Sequence, residues 1–516
     1  MNRTTLSLFA VTAALAAVTG LAVVSLPEEA GADGAPAAAR LPVERSGVLC
    51  PAPSDSDLAD TVYSSFTPKS EGTAATGTAR LTPAEERSTG ADEPKGAKGT
   101  KSTGKDAKNG EDGKDAKGPA PVLVPKEPGA QVTGEESGAD VPALIGAAEG
   151  DLAPGWTVQQ TTTVSAGQGR GMLGLACAAP DTDFWLPGVS TAEDRTDYLH
   201  LTNPDDAAAV VDIELHGKDG PLKTSLGDGI QVQPRASVPV LLSTLTEKPQ
   251  ADLTAHVTVR SGRVAAAVRA TDARRGSDWL TPAADPGPAL VVPGIPTDVT
   301  SARLIVFAPG ESDAEVDVRV ASPNGPITPA GTESLHVKSG MTAVVDLGDV
   351  TKGEAGSLLL TPKGRSAAPV VAALQVVRGK GDRQETAYIP ASTAVGARAT
   401  VADNRAKGTV LSLVAPGAAA KVRVTASAGS GGGEPVTETY TVKSGSTLLA
   451  RPPVPRGLKG TYALTVESLS GGPVHASRML EAPDGGVPMF TVQALADDRG
   501  TVSVPDADQD LSVLQK

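Results

Sequence analysis

Three sequence features predict an all-β fold of tandem immunoglobulin-like or fibronectin-like β-sandwich modules, about four copies at a period near 105 residues. The first is the period itself, carried by three anchors. An apolar strand ends in proline at Tyr198–Pro204, Leu304–Pro309 and Leu411–Pro416, with the prolines 105 and 107 residues apart. Val232-Gln-Pro-Arg235, Val337-Lys-Ser-Gly340 and Val442-Lys-Ser-Gly445 keep a spacing of 105. A closing strand then follows at Val264–Val268, Val370–Leu374 and Val474–Ser477. The second feature is alternation. VVDIEL, VDVRVA and KVRVTA interleave apolar and polar residues as a strand with one buried face does, and turn signals such as Asp219-Gly220 and Asn324-Gly325 separate the strands. The third is composition: aromatics make up 3% while Ala, Val, Leu and Gly dominate, which suits small, flat β cores. The Cys-Trp-Cys spacing of true immunoglobulins is absent, so the likeness is architectural. A β-propeller is the alternative, although its blades usually repeat at about 40–50 residues.

At the N-terminus, Arg3 supplies a short positive region and Leu6–Leu26 is an uncharged apolar run of about 20 residues. Ala30-Gly31-Ala32 follows as a cleavage-like site. Residues 1–26 are expected to be a helical signal peptide or membrane anchor, and 27–45 a linker. Both readings place the rest of the chain outside the cytoplasm.

Residues 46–190 are read as the first module, with Gly47-Val-Leu-Cys-Pro51 as its anchor strand and Met172–Cys177 as its closing strand. A disordered insert at 68–118 interrupts it. Pro51 to Pro204 spans 153 residues, and removing about 51 for the insert leaves about 102, close to one period. From Ser70 to Gly118 the composition is Gly, Lys, Ala, Thr, Ser, Asp and Glu, with no large apolar residue beyond Leu81, so ordering cannot be offset by burial. Gly99–Asp106 within it is one residue short of a phosphate-binding P-loop, with Asp106 where the Mg²⁺-ligating hydroxyl belongs. Such a loop also needs a buried strand before it and a helix after it. Neither flank can form one.

Residues 191–295, 296–400 and 401–490 are the second, third and fourth modules, and 491–516 a tail. Asp506-Ala-Asp508-Gln-Asp510 begins like a calcium loop but lacks the sixth-place Gly and the closing Glu. The chain has two cysteines, Cys50 and Cys177, which suits an oxidising compartment. Placed at the ends of an opening and a closing strand of one module, they are expected to form a disulfide, and Cys50→Ser to loosen that module alone. Free thiols and an intermolecular bridge are the alternatives.

A net charge of −14 argues against nucleic acid as a partner. His200, His216, His256, His336 and His475 are scattered without metal-ligand spacing, and no cofactor or metal site is expected. The most distinctive short run is Asp181-Thr-Asp183-Phe-Trp185-Leu-Pro-Gly188. Asp181, Asp183 and Trp185, with Trp279 beside Asp278, are a possible binding surface; the favoured reading is that both tryptophans plug junctions between modules.

Together, the signal-like segment, Cys50-Pro51, Cys177, Asp183-Phe-Trp185, Gly188 and the Ala/Gly-rich repeats resemble a family of secreted actinobacterial proteins known only as a domain of unknown function. Members are often encoded near a glycosyltransferase, which implies cell-envelope work. The resemblance carries no activity or catalytic residue. Two functions are then open: a non-catalytic envelope protein that binds or spaces a polysaccharide or protein partner, and an extracytoplasmic hydrolase or accessory enzyme of cell-wall glycan metabolism with a site assembled across modules. The absence of a nucleophile–base motif favours the first.

Overall fold

The computed structural model describes residues 39–69, 76–86, 120–224, 226–364 and 367–504. The expected N-terminal helix, the near-P-loop and the calcium-like run at 506–510 lie outside the described residues. Within them the chain is all-β, with two short 3₁₀ turns at Gly150–Leu152 and Leu242–Thr244. Among the described residues no helix is long and apolar enough to cross a membrane. The sheets are antiparallel apart from Glu85–Glu86, which pairs parallel with Ala236–Ser237, and none closes into a barrel.

Two compact units are present. In one, Ala39–Pro42 pairs antiparallel with Thr501–Val504. The other, Val43–Gly500, contains four pairs of sheets. In the third pair, one sheet runs Leu290–Ile295, Gly356–Pro362, Ala314–Ser322, and the other Thr342–Asp346, Val299–Phe307, Val371–Arg378, Glu385–Pro390. The other pairs repeat this pairing. The chain crosses repeatedly from one sheet to its partner, whereas a propeller blade is a single sheet, so the propeller alternative does not describe these sheets.

Alternation explains the outward sheets. Ala420–Ala426 reads AKVRVTA, and its Ala and Val side chains are buried while Lys421 and Arg423 face solvent. Each pair encloses its own core: Val306, Val318, Leu358 and Leu374 share one in the third pair. At about 1.5–3 kcal/mol per fully buried large apolar side chain, these cores dominate stability. The second sheet of each pair ends in an inner strand: Gly171–Ala176, Gly276–Leu280, Glu385–Pro390 and Phe490–Leu495. These contact one another in a closed cycle, first with second, third, fourth and back to first. Val371–Arg378 and Glu385–Pro390 are accordingly buried along their whole length, one face on their own core and one on neighbouring pairs.

Four expectations are corrected. The strand of the first pair that matches the anchors is Ala59–Phe66, ending Phe66-Thr67-Pro68, and Thr157–Val164 is its closing strand. Gly47–Pro51 instead belongs to the opening strand Arg45–Cys50, the counterpart of Asp183–Val189, and Met172–Cys177 belongs to the inner strand and its end. Asp183–Val189 pairs with Leu253–Ser261 and Leu290–Ile295 with Gly356–Pro362, so the expected boundaries at 190 and 295 fall one strand late. The opening strands were hidden by bulges at Gly188, Gly294 and Asp403, whose φ of 105, 75 and 55° breaks the two-residue period. Thr78–Pro83, inside the expected insert, is a sheet strand with Leu81 fully buried, and Phe490–Leu495, expected as tail, is the fourth inner strand.

Candidate functional site

The residues singled out in the sequence occupy two separate junctions. Asp181 bridges Val264 through its backbone and remains exposed. Trp185, His256 and Glu214 sit directly opposite one another on three adjacent strands of the second pair. That row stacks the His256 ring on the Trp185 indole, 3.6 Å apart and 6° from parallel. His256 Nε2 lies 2.7 Å from Asp183 Oδ1, and its Nδ1 lies 3.7 Å from Glu214. His216 lies 3.5 Å from Glu214 and against Phe307 of the third pair, where burial lowers its pKa and Glu214 partly opposes this. Phe307 also stacks on Trp185, whose residue is 8% exposed, so this indole fills the junction between the second and third pairs. Both nitrogens of His256 face carboxylates, so its polar atoms are taken up within the junction.

Trp279 is 2% exposed and packs with Ala59, Val164, Leu173 and Leu175 of the first pair. It too fills a junction, and the structure does not bring it to Trp185. Its ring meets His200 edge-on at 5.3 Å. His200 lines a small cleft with Leu49, Pro51, Ala265, Ala266 and Thr281, next to the cysteines. It is 4% exposed, neither ring nitrogen has a partner, and burial, with help from Arg269, lowers its pKa to about 3. Both ring nitrogens are themselves buried, so the neutral imidazole belongs to the cleft's floor rather than presenting a donor or acceptor to a ligand.

Cys50 and Cys177 form a disulfide with their Cα atoms 4.6 Å apart. It ties the opening strand of the first pair to the end of its inner strand, and so joins the two facing sheets. Both sulfurs sit in the first core beside Trp156, whose indole donates to Ser65 Oγ at 2.8 Å.

The most perturbed carboxyls lie where the inner strands meet, and sequence reasoning missed them. Asp278 is fully buried on Gly276–Leu280. It accepts from the Gly174 N–H of the first inner strand at 3.2 Å and from the Thr491 hydroxyl of the fourth at 3.1 Å. Burial raises its pKa well above the carboxylate range, against these hydrogen bonds. Glu385, on the third inner strand, accepts the Met172 N–H of the first at 2.9 Å, and its Oε2 has no partner. Burial pushes its pKa up to about 8. Glycines make this approach possible: a Cβ on Gly171 would stand 2.6 Å from the Ser277 carbonyl, and one on Gly276 2.8 Å from Glu385 Oε2. The available signal was a lone acid in each of two short strands with no other charge, GSDWL and ETAYIP. Among the described residues no group of three His, Cys, Asp or Glu is placed to hold a metal ion.

No curated protein matches this chain. Residues 132–453, more than half of the sequence, match the model of a family of unknown function, and the chain belongs to that family, DUF5719.

Proposed function

We propose that the protein is a non-catalytic, extracytoplasmic component of the cell envelope, whose tandem immunoglobulin-like modules bind or space an envelope polysaccharide or protein. The observation that carries this reading is the use of its buried ionisable groups. Asp278 and Glu385 accept backbone N–H groups across strands, and His256 is enclosed by two carboxylates, so these groups hold strands and junctions together rather than face an open cleft. The disulfide suits an oxidising compartment. The repeated crossing of the chain between facing sheets supports the immunoglobulin-like assignment.

Incubation of the purified chain with isolated cell-wall glycans tests the reading. Retention without change in glycan length is the expected result. Shortening of the glycan chains would instead establish the hydrolase reading and overturn this one.

A further inference from the structure

We propose that Asp278 and Glu385 form a proton-controlled clasp, which holds the inner strands of the four sheet pairs together while both carboxyls carry their protons and loosens when they ionise. The geometry is a crossed one. In the cycle of inner strands, first and third are not neighbours, nor are second and fourth. Glu385 spans the first diagonal to the Met172 N–H, and Asp278 spans the second to Thr491 while also holding Gly174 of the adjacent first strand. Two side chains therefore connect all four strands.

The surroundings supply little to stabilise two negative charges. Arg170, whose charge partly opposes the effect of burial on Glu385, donates to the Gln384 and Asp382 carbonyls at 2.7 and 3.4 Å, and its Nε has no partner. Arg378, opposite Glu385 in register, donates to Asp298 and Glu481. Gly276 and Asp278 lie against Glu385 from the second inner strand, with Asp272 opposite Gly276 in register. The fourth strand contributes only the neutral Thr491 and Gln493, and Tyr388 lies on Glu385's own strand. Ionised, the two carboxylates would repel each other with one or two N–H donors apiece and no paired cation. The raised pKa values of both groups, largely through burial, agree with this. On ionisation each proton leaves to solvent and no other covalent bond changes.

Amide hydrogen exchange of the full-length protein between pH 6 and 9 tests the clasp at Met172 and Gly174, whose N–H groups the carboxyls hold. After correction for the intrinsic dependence of exchange on pH, opening is expected to rise about tenfold or more in the wild type, and to become flat with pH in Asp278→Asn/Glu385→Gln. A corrected rate that stays constant in the wild type, or rises equally in the variant, overturns the proposal. Should the variant fail to fold, infrared spectroscopy of the wild type decides instead. A protonated-carboxyl C=O stretch present at pH 6 and lost on alkalinisation together with amide protection supports the clasp; its absence at pH 6 overturns it.

Discussion

At the scale of single residues, close approach and burial do more than chemical motif. Gly174 has no room for a side chain: a Cβ there would stand 2.5 Å from Thr491 Cγ2 and 3.0 Å from Gln493 Nε2. Gly174→Ala is therefore expected to destabilise by about 1–3 kcal/mol, and Thr491→Ser, which removes the methyl but keeps the hydroxyl, to restore part of that loss. Thermal melting of the two single variants and the double variant checks it. His200 makes a different demand. In the unfolded chain its imidazole gains a proton below about pH 6.5, whereas the folded pKa is about 3. The stability it contributes is complete above the unfolded value and lost as pH falls through the folded one, an upper limit on the order of 4–5 kcal/mol. His200→Leu should unfold at lower pH than the wild type in an acid titration followed by circular dichroism. An unchanged midpoint would remove His200 as the source of acid lability.

At the scale of elements, the strands were more legible than their boundaries. KVRVTA and VDVRVA announce themselves because one face is wet. VVAALQVVR does not, because Val371–Arg378 is buried on both faces and its alternation disappears. The opening strands were lost for a related reason, since a left-handed residue such as Gly294 shifts the register midway. The pairing of Cys50 with Cys177 was read correctly although the strands bearing them were misassigned: opening and inner strands of one sheet pair also end close together. The Asp278–Thr491 and Trp185–Phe307 contacts were beyond sequence pattern, as each joins sheet pairs more than 100 residues apart. A bridge closing 127 residues contributes on the order of 4–5 kcal/mol by loop entropy. Because the first pair packs against both the second and the fourth, Cys50→Ser is expected to lower one shared transition rather than release the first pair alone. Calorimetry separates these outcomes. Removing 87–119 should leave that transition nearly unchanged, whereas a deletion reaching back through Thr78–Pro83 removes buried Leu81 and should not.

For the whole molecule, the buried ionisable groups shape stability against pH. Glu385, raised from 4.5 to about 8, favours the fold fully below pH about 4.5 and progressively less as pH rises through 8. His200 acts oppositely between about 6.5 and 3, so the two slopes cancel between about pH 4.5 and 6.5, where the raised Asp278 still favours the more acidic side. Above pH 6.5 only the losses from the carboxyls remain. The melting temperature is expected to fall from pH 6.5 to 8 in the wild type and to fall less in Glu385→Gln; equal slopes would contradict this assignment.

The closed cycle of inner strands also bears on how such a chain can evolve. An open array of stacked repeats gains or loses a member at little cost, because each member meets only the ones beside it. Here the fourth member meets the first through Met172, Leu480 and Met489. A fifth would find no vacant flank, and a loss of one would leave two apolar flanks exposed. Adding or removing a sheet pair would have to reopen the cycle that the four pairs of the described residues form, a cost an open array does not bear.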